Sequence, residues 1–230
     1  MTVGSELAEV TVADTVRWLH EEGLVRLAAV ADQALRNFCA FTVDVRTGRV
    51  GAHPETGGEE GAEVTSLAAD DLPHPVGSAQ RLVVVGVTVA EEVLVVDLAA
   101  TLALSINADR PALAARSWVL QLMLNPEVTV TTNSAEVAAG DSPRLRQSFI
   151  PGSGATLVNI DDDRPPLTAI TFNAADDGPD HLDVEPDGTG EMYLGSRFWR
   201  LRHVLCVADE PWAELARRLD SAGEPPEEEL

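Results

Sequence analysis

Arg197, Arg200 and Arg202 stand close together near the C-terminus, among Phe198, Trp199, Leu201 and His203. In a strand, where side chains alternate, Arg200 and Arg202 fall on one face and Trp199, Leu201 and His203 on the other. Guanidinium forks side by side, with an aromatic neighbour, are the groups that hold a carboxylate or another anion. The competing reading is that these arginines pair with some of the many carboxylates nearby. Charges gathered this way are tolerated only when something answers them. Arg197, Arg200, Arg202 and His203 are therefore the candidate ligand-binding set.

Just upstream, Asp180, His181, Asp183, Glu185 and Asp187 bring carboxylates and an imidazole within a few residues, and they form the candidate metal set. The run Asp183 to Gly188 copies the opening of a calcium loop, with oxygens at alternate positions and glycine sixth. Leu194 then falls at the twelfth position, where a bidentate Glu belongs. Pro186-Asp187-Gly188 is also a strong turn signal, so a hairpin competes with the cation site.

Other chemistries are excluded by what the chain lacks. All 16 basic residues are arginine, so a phosphate-loop lysine, a Schiff-base lysine and a lysine general base are impossible. The zinc pattern HExxH that His20-Glu21 begins fails at Leu24, and Gly152-Ser153-Gly154 lacks the spacing of a nucleophile elbow. Cys39 and Cys206 lie between apolar neighbours and read as buried small hydrophobes, with a disulfide between them as the competing reading, and neither has metal-ligand spacing. No cofactor is expected.

The formal net charge is −22, which opposes nucleic acid and anionic membrane surfaces as partners and leaves basic proteins, cations and neutral surfaces. Glu91, Glu92 and Asp97 interrupt the longest apolar run, so no membrane insertion is expected. The opening MTVGSELAEV has neither the basic start nor the apolar core of a secretory signal. A soluble protein is expected, either cytoplasmic or exported as part of a longer one.

The elements that must position these residues centre on Arg81 to Asn133. Two Val-rich strands, Arg81 to Val89 and Glu92 to Leu98, precede a third at Ala103 to Asn107. A helix capped by Asp109 follows from Pro111 to Asn125, then a strand from Glu127 to Thr132. That helix is polar only at Arg116, Ser117 and Gln121, so it must be covered nearly all round. The strand–helix–strand order is that of a nucleotide-binding unit. Its loop, Asn107 to Pro111, has no glycine and carries Asp109 where a phosphate would dock, so no nucleotide is expected.

Before this centre, helical spacing starts at Val12 with Asp14 as cap, and Gly23 divides a short helix from a longer one. A hairpin follows, turning at Thr47-Gly48. Pro54 to Ala62 reads as a solvated loop, and the proline-rich Ala69 to Ser78 as a boundary. After the centre, Ala138 to Ala155 reads as irregular, and strands follow at Thr156 to Ile160, Leu167 to Asn173, His181 to Glu185 and Glu191 to Leu194. A last helix, capped by Asp209, carries Trp212, Leu215, Ala216 and Leu219 on one face. The expected fold is α/β or α+β. Residues 1–75 form a smaller helical and hairpin domain, 76–222 a larger α/β domain with a mixed sheet and a covering helix, and 223–230 a disordered acidic tail.

Two passages, Leu35 to Val130 and the longer, more unusual Asp177 to Leu205 (DGPDHLDVEPDGTGEMYLGSRFWRLRHVL), together resemble a mycobacterial and broader actinobacterial family of two-domain conserved proteins of unknown function. The arginine-only, Ala/Val/Asp-rich composition agrees with that origin. The resemblance implies a C-terminal portion of a longer protein, in a setting associated with type VII-like secretion. It brings no catalytic or binding residues. The reading that results is a non-catalytic protein-interaction or scaffold module whose partner is another protein. The alternative is a small-ligand-binding or hydrolytic enzyme whose site gathers Asp180, His181, Asp183, Arg200 and Arg202.

Overall fold

The computed structural model describes residues 10–34, 37–55, 64–140, 142–150, 155–161, 167–174 and 178–221. Most of the Pro54–Ala62 loop, the glycines 152 and 154, the turn at 162–166 and the acidic tail lie outside the described residues.

Helix α1 (Val12–Trp18) is capped by Thr11, not Asp14. The Thr11 hydroxyl accepts the Asp14 N–H at 3.2 Å, and the Asp14 carboxylate accepts the Thr11 N–H at 3.1 Å. Asp14 is thus the reciprocal half of a capping box. Gly23 does not divide two helices either. A π-helical turn over Leu19–Gly23 carries α1 directly into α2 (Leu24–Gln33), and a Cβ at Gly23 would meet the Trp18 ring at 3.0 Å. The glycine makes room for the indole.

The strands are β1 (Phe38–Asp44), β2 (Val50–Pro54), β3 (Thr65–Leu67), β4 (Leu82–Thr88), β5 (Glu92–Asp97), β6 (Ala103–Asn107), β7 (Thr129–Thr132), β8 (Leu145–Gln147), β9 (Leu157–Asp161), β10 (Thr168–Phe172), β11 (His181–Val184), β12 (Gly190–Leu194) and β13 (Arg197–Val204). Helix α3 (Ala112–Met123) lies between β6 and β7, and α4 (Asp209–Ser221) follows β13. All described strands join one mixed sheet in the order β3-β2-β1-β5-β4-β13-β12-β11-β6-β10-β9-β7-β8. Parallel pairing occurs where β6 meets β10 and β11, and where β7 meets β8. The α/β or α+β expectation holds, with a mixed sheet and a covering helix.

No break in the sheet falls at residue 75. β1 runs antiparallel to β5 from Ala40–Val96 to Asp44–Glu92, so the ladder spans the expected boundary. Leu19, Leu27 and Phe41 also share one buried cluster with Leu82, Val84, Val93 and Val95. The proline-rich passage is a connector, and Arg26 clamps it by donating to the carbonyls of Leu72 and Pro73 at 2.9 and 3.0 Å.

Side-chain alternation explains the Val-rich runs. Val83, Val85, Leu94 and Val96 point to the face that carries α3, whereas Leu82, Val84, Val93 and Val95 point to the opposite face, beneath α1 and α2. β4 and β5 are covered on both sides, so neither shows a polar alternation. Helix α3 is enclosed as its composition requires: Trp118 and Val119 are fully buried, and Arg116 and Ser117 are buried too. Its Gln121 amide donates to the Val84 carbonyl at 3.0 Å and accepts the Val84 N–H at 2.7 Å. That side chain does for the β4 backbone what a neighbouring strand would do.

Two details of α3 depart from expectation. Pro111 occupies the cap position with no side-chain bond, so Asp109 is not the cap. In addition β10 and β9 lie between β6 and β7, so β6–α3–β7 is not an adjacent strand–helix–strand unit. Helix α4 packs Trp212, Leu215 and Ala216 onto the α3-side core. Asp209 ties it down by accepting from Arg116 at 2.7 Å and Arg110 at 2.8 Å, and these two bonds hold its carboxyl below the ordinary range.

Candidate functional site

Beyond β4 the face opposite α3 changes character. No described helix lies on it, and the side chains it presents come from β13, β12, β11 and β6. Strand register arranges them in two rows. His181 pairs with Tyr193 and Tyr193 with Phe198, so one row is aromatic. The His181 and Tyr193 rings stack with centroids 4.4 Å apart, and Tyr193 and Phe198 at 5.8 Å. Phe198 is 57% exposed, a large apolar surface left in water. Two residues along, Asn107, Asp183, Glu191 and Arg200 are successive ladder partners and form a polar row.

The rows are bonded within and between themselves. The Tyr193 hydroxyl donates to Glu191 Oε2 at 2.5 Å, and Arg200 Nε donates to Glu191 Oε1 at 3.2 Å. The Tyr193 bond, then the Arg200 one, holds the Glu191 carboxyl below its usual range, and the first of these pushes the Tyr193 phenol up. Asn107 Nδ2 donates to Asp183 Oδ1 at 2.9 Å. His181 Nδ1 sits 2.9 Å from the Gly178 carbonyl, which can only accept, so Nδ1 carries a proton. Its Nε2 lies 3.7 Å from Asp183 Oδ2. Beside the polar row is a hollow of about 390 Å³ lined by Val89, Asp183, Glu185, Glu191, Arg200 and Arg202. Arg202 is paired with Glu91, in the β4–β5 turn outside the lining.

The candidate ligand set therefore divides. Arg200 and Arg202 share the hollow, as alternation predicts. Arg197 does not join them: its Nε donates to the Pro54 carbonyl at 3.1 Å. Two positions on, Trp199 meets the His53 ring edge-on at 5.2 Å. His203 is apart from Arg200 and Arg202 as alternation expects, beyond a register irregularity that follows Leu201, and lines another hollow with Leu113, Val184, Pro186 and Cys206.

The candidate metal set also divides. Asp180 accepts the Thr101 hydroxyl at 2.5 Å and the Gly195 N–H at 2.8 Å, which pins strand ends together. Asp187 accepts the Thr189 N–H and hydroxyl, at 2.9 and 2.6 Å, inside the β11–β12 turn. The hairpin reading of Pro186-Asp187-Gly188 is the one realised, with Gly188 at φ +85. Only Asp183 and Glu185 reach the hollow, with His181 one row away. Among the described residues no three His, Cys, Asp or Glu side chains converge on a metal position.

Sequence reasoning missed Tyr193 and Glu191. Their signal was present: they lie two apart on a strand that follows a tight turn, so they must face the strand before and the strand after it. The loop after β6 is filled from within, because the Asn173 amide accepts the Ala108 N–H at 2.9 Å and donates to the Ala108 carbonyl at 3.1 Å. The cysteines are unalike. Cys39 is buried, and burial pushes its thiol up to about 11, whereas Cys206 is exposed against expectation. No described helix is long and apolar enough to cross a membrane. No family model, curated protein or solved structure matches the chain.

Proposed function

We propose that the chain is a non-catalytic protein-interaction module, and that its binding surface is the open face of β13, β12, β11 and β6. The observation that supports this most directly is the stacked row His181, Tyr193 and Phe198, aligned by register and ending in a phenylalanine left in solvent. Aromatic residues on a rigid strand platform bury much area at small entropic cost when a partner docks. An exposed apolar patch rimmed by charges is the usual mark of such a contact.

The alternative, a small-ligand or hydrolytic site uniting Asp180, His181, Asp183, Arg200 and Arg202, has less support. Asp180 is spent on strand ends, and Arg200 and Arg202 are each paired with a glutamate. Capture from cell extract separates the two readings. Wild-type protein should retain a partner that Tyr193→Ala/Phe198→Ser loses, with the denaturation midpoint unchanged. Equal retention by both proteins would remove this surface from the account.

A further inference from the structure

Given the interaction reading above, on which this inference rests, we infer that the occupant of the open face is a basic, extended segment of another protein. One of its Lys or Arg side chains enters the hollow beside Asp183 and Glu185. The charges around the hollow favour a cation there. Both guanidinium groups in the hollow are already answered, Arg200 by Glu191 and Arg202 by Glu91. Asp183 is met by the neutral Asn107 amide and an imidazole at 3.7 Å, and exposed Glu185 takes no side-chain hydrogen bond among the described residues. Among the residues that line the hollow, Asp183, Glu185 and Glu191 stand against Arg200 and Arg202, which leaves it one charge negative, and Glu91 outside the lining answers Arg202. An anionic group would have to break an ion pair to enter, whereas a cation meets carboxylates directly.

The neighbouring row favours the same occupant. Tyr193 and Phe198 lie two residues along their strands from Glu191 and Arg200, a step of about 7 Å. That is within reach of the stem of a long basic side chain or its apolar neighbour, with cation–π attraction to the rings. The hollow, at about 390 Å³, has room for one such side chain. The net charge of −22 speeds the approach of a basic partner and repels a second copy of this chain or a nucleic acid.

The probe is a labelled peptide of alternating Arg and Ala, followed by fluorescence anisotropy at low salt. A charge-matched pair of variants separates the hollow from the overall field: Asp183→Asn/Glu185→Gln, and Asp70→Asn/Asp71→Asn on an exposed turn remote in sequence. The expected result is affinity lowered about tenfold in the first and less than about twofold in the second. Equal affinity for all three proteins, or no binding to wild type, overturns the inference. So does displacement of the peptide by equimolar spermine, which would make the site one for free polyamines. If the peptide fails while Tyr193→Ala/Phe198→Ser still abolishes partner capture, the cationic assignment falls and the interaction face stands. If neither experiment responds, both fall.

Discussion

One face of one sheet is put to two uses. Over β2, β1, β5 and β4 its outward residues are Val50, Ala52, Phe41, Val43, Val93, Val95, Leu82 and Val84, all buried beneath α1 and α2. Over β12, β11 and β13 the same face carries Glu191, Tyr193, His181, Asp183, Phe198 and Arg200, and no described helix covers it. Hydrogen bonding is continuous across the join, since β4 pairs with β13. The difference therefore lies in side chains alone. Where the outward residues are apolar, a helix covers them; where they are aromatic and charged, no described helix does.

The sharpest way to break this contrast is to truncate one residue on each side. Phe41→Ala, in the covered half and fully buried, should lose about 3–5 kcal/mol of unfolding free energy in denaturant. Tyr193→Ala should lose less than about 1 kcal/mol. Equal losses would mean that the open half is core. A second substitution asks whether the open platform is rigid. A Cβ at Gly190 would sit 2.3 Å from the Asp183 carbonyl, so Gly190→Ala must push β12 off β11. We expect a loss of about 1–3 kcal/mol, together with disruption of the His181–Tyr193 stack, seen as a shift of the His181 ring resonances. An unchanged stack would show that the rows do not depend on the strand spacing.

A smaller effect sharpens the junction between the two regions. His53 on β2 lies under Trp199 of β13, and burial first, then the nearby Arg197 charge, lowers its pKa to about 4. The unfolded chain takes up this proton near 6.5, whereas the fold does so only near 4. Between those values the unfolded state binds more protons, so stability falls as pH drops from about 6.5 and the loss levels off below about 4. His53→Leu should flatten that part of the pH–stability curve. An unaltered slope would show that His53 does not couple the regions.

Much of the frame was legible in the sequence. β6 falls at its expected limits, β5 and α3 within a residue or two of theirs, because alternation, Pro111 and Pro126 are local signals. The two short strands β3 and β8 were not legible: three residues carry no periodicity, and partners elsewhere in the chain define them. The continuity of the sheet through residue 75 was hidden for the same reason, since Phe41 and Val95 are distant in sequence. At the candidate site Arg200 and Arg202 were found from spacing. The same alternation set His203 on the other face, but the register irregularity between Leu201 and His203 has no sequence signature here. Glu191 and Tyr193 share a face by their spacing on β12, but their partners on β11 and β13 follow only from the strand pairing.

Site-specific photo-cross-linking tests most directly whether the open face is a docking surface. A benzophenone side chain placed at Phe198, 57% exposed on the open face, is compared with one at Val76, 76% exposed on the proline-rich connector. Illumination in cell extract should give a discrete adduct from position 198 and none from position 76. Adducts from neither position, or the same adducts from both, would contradict the account.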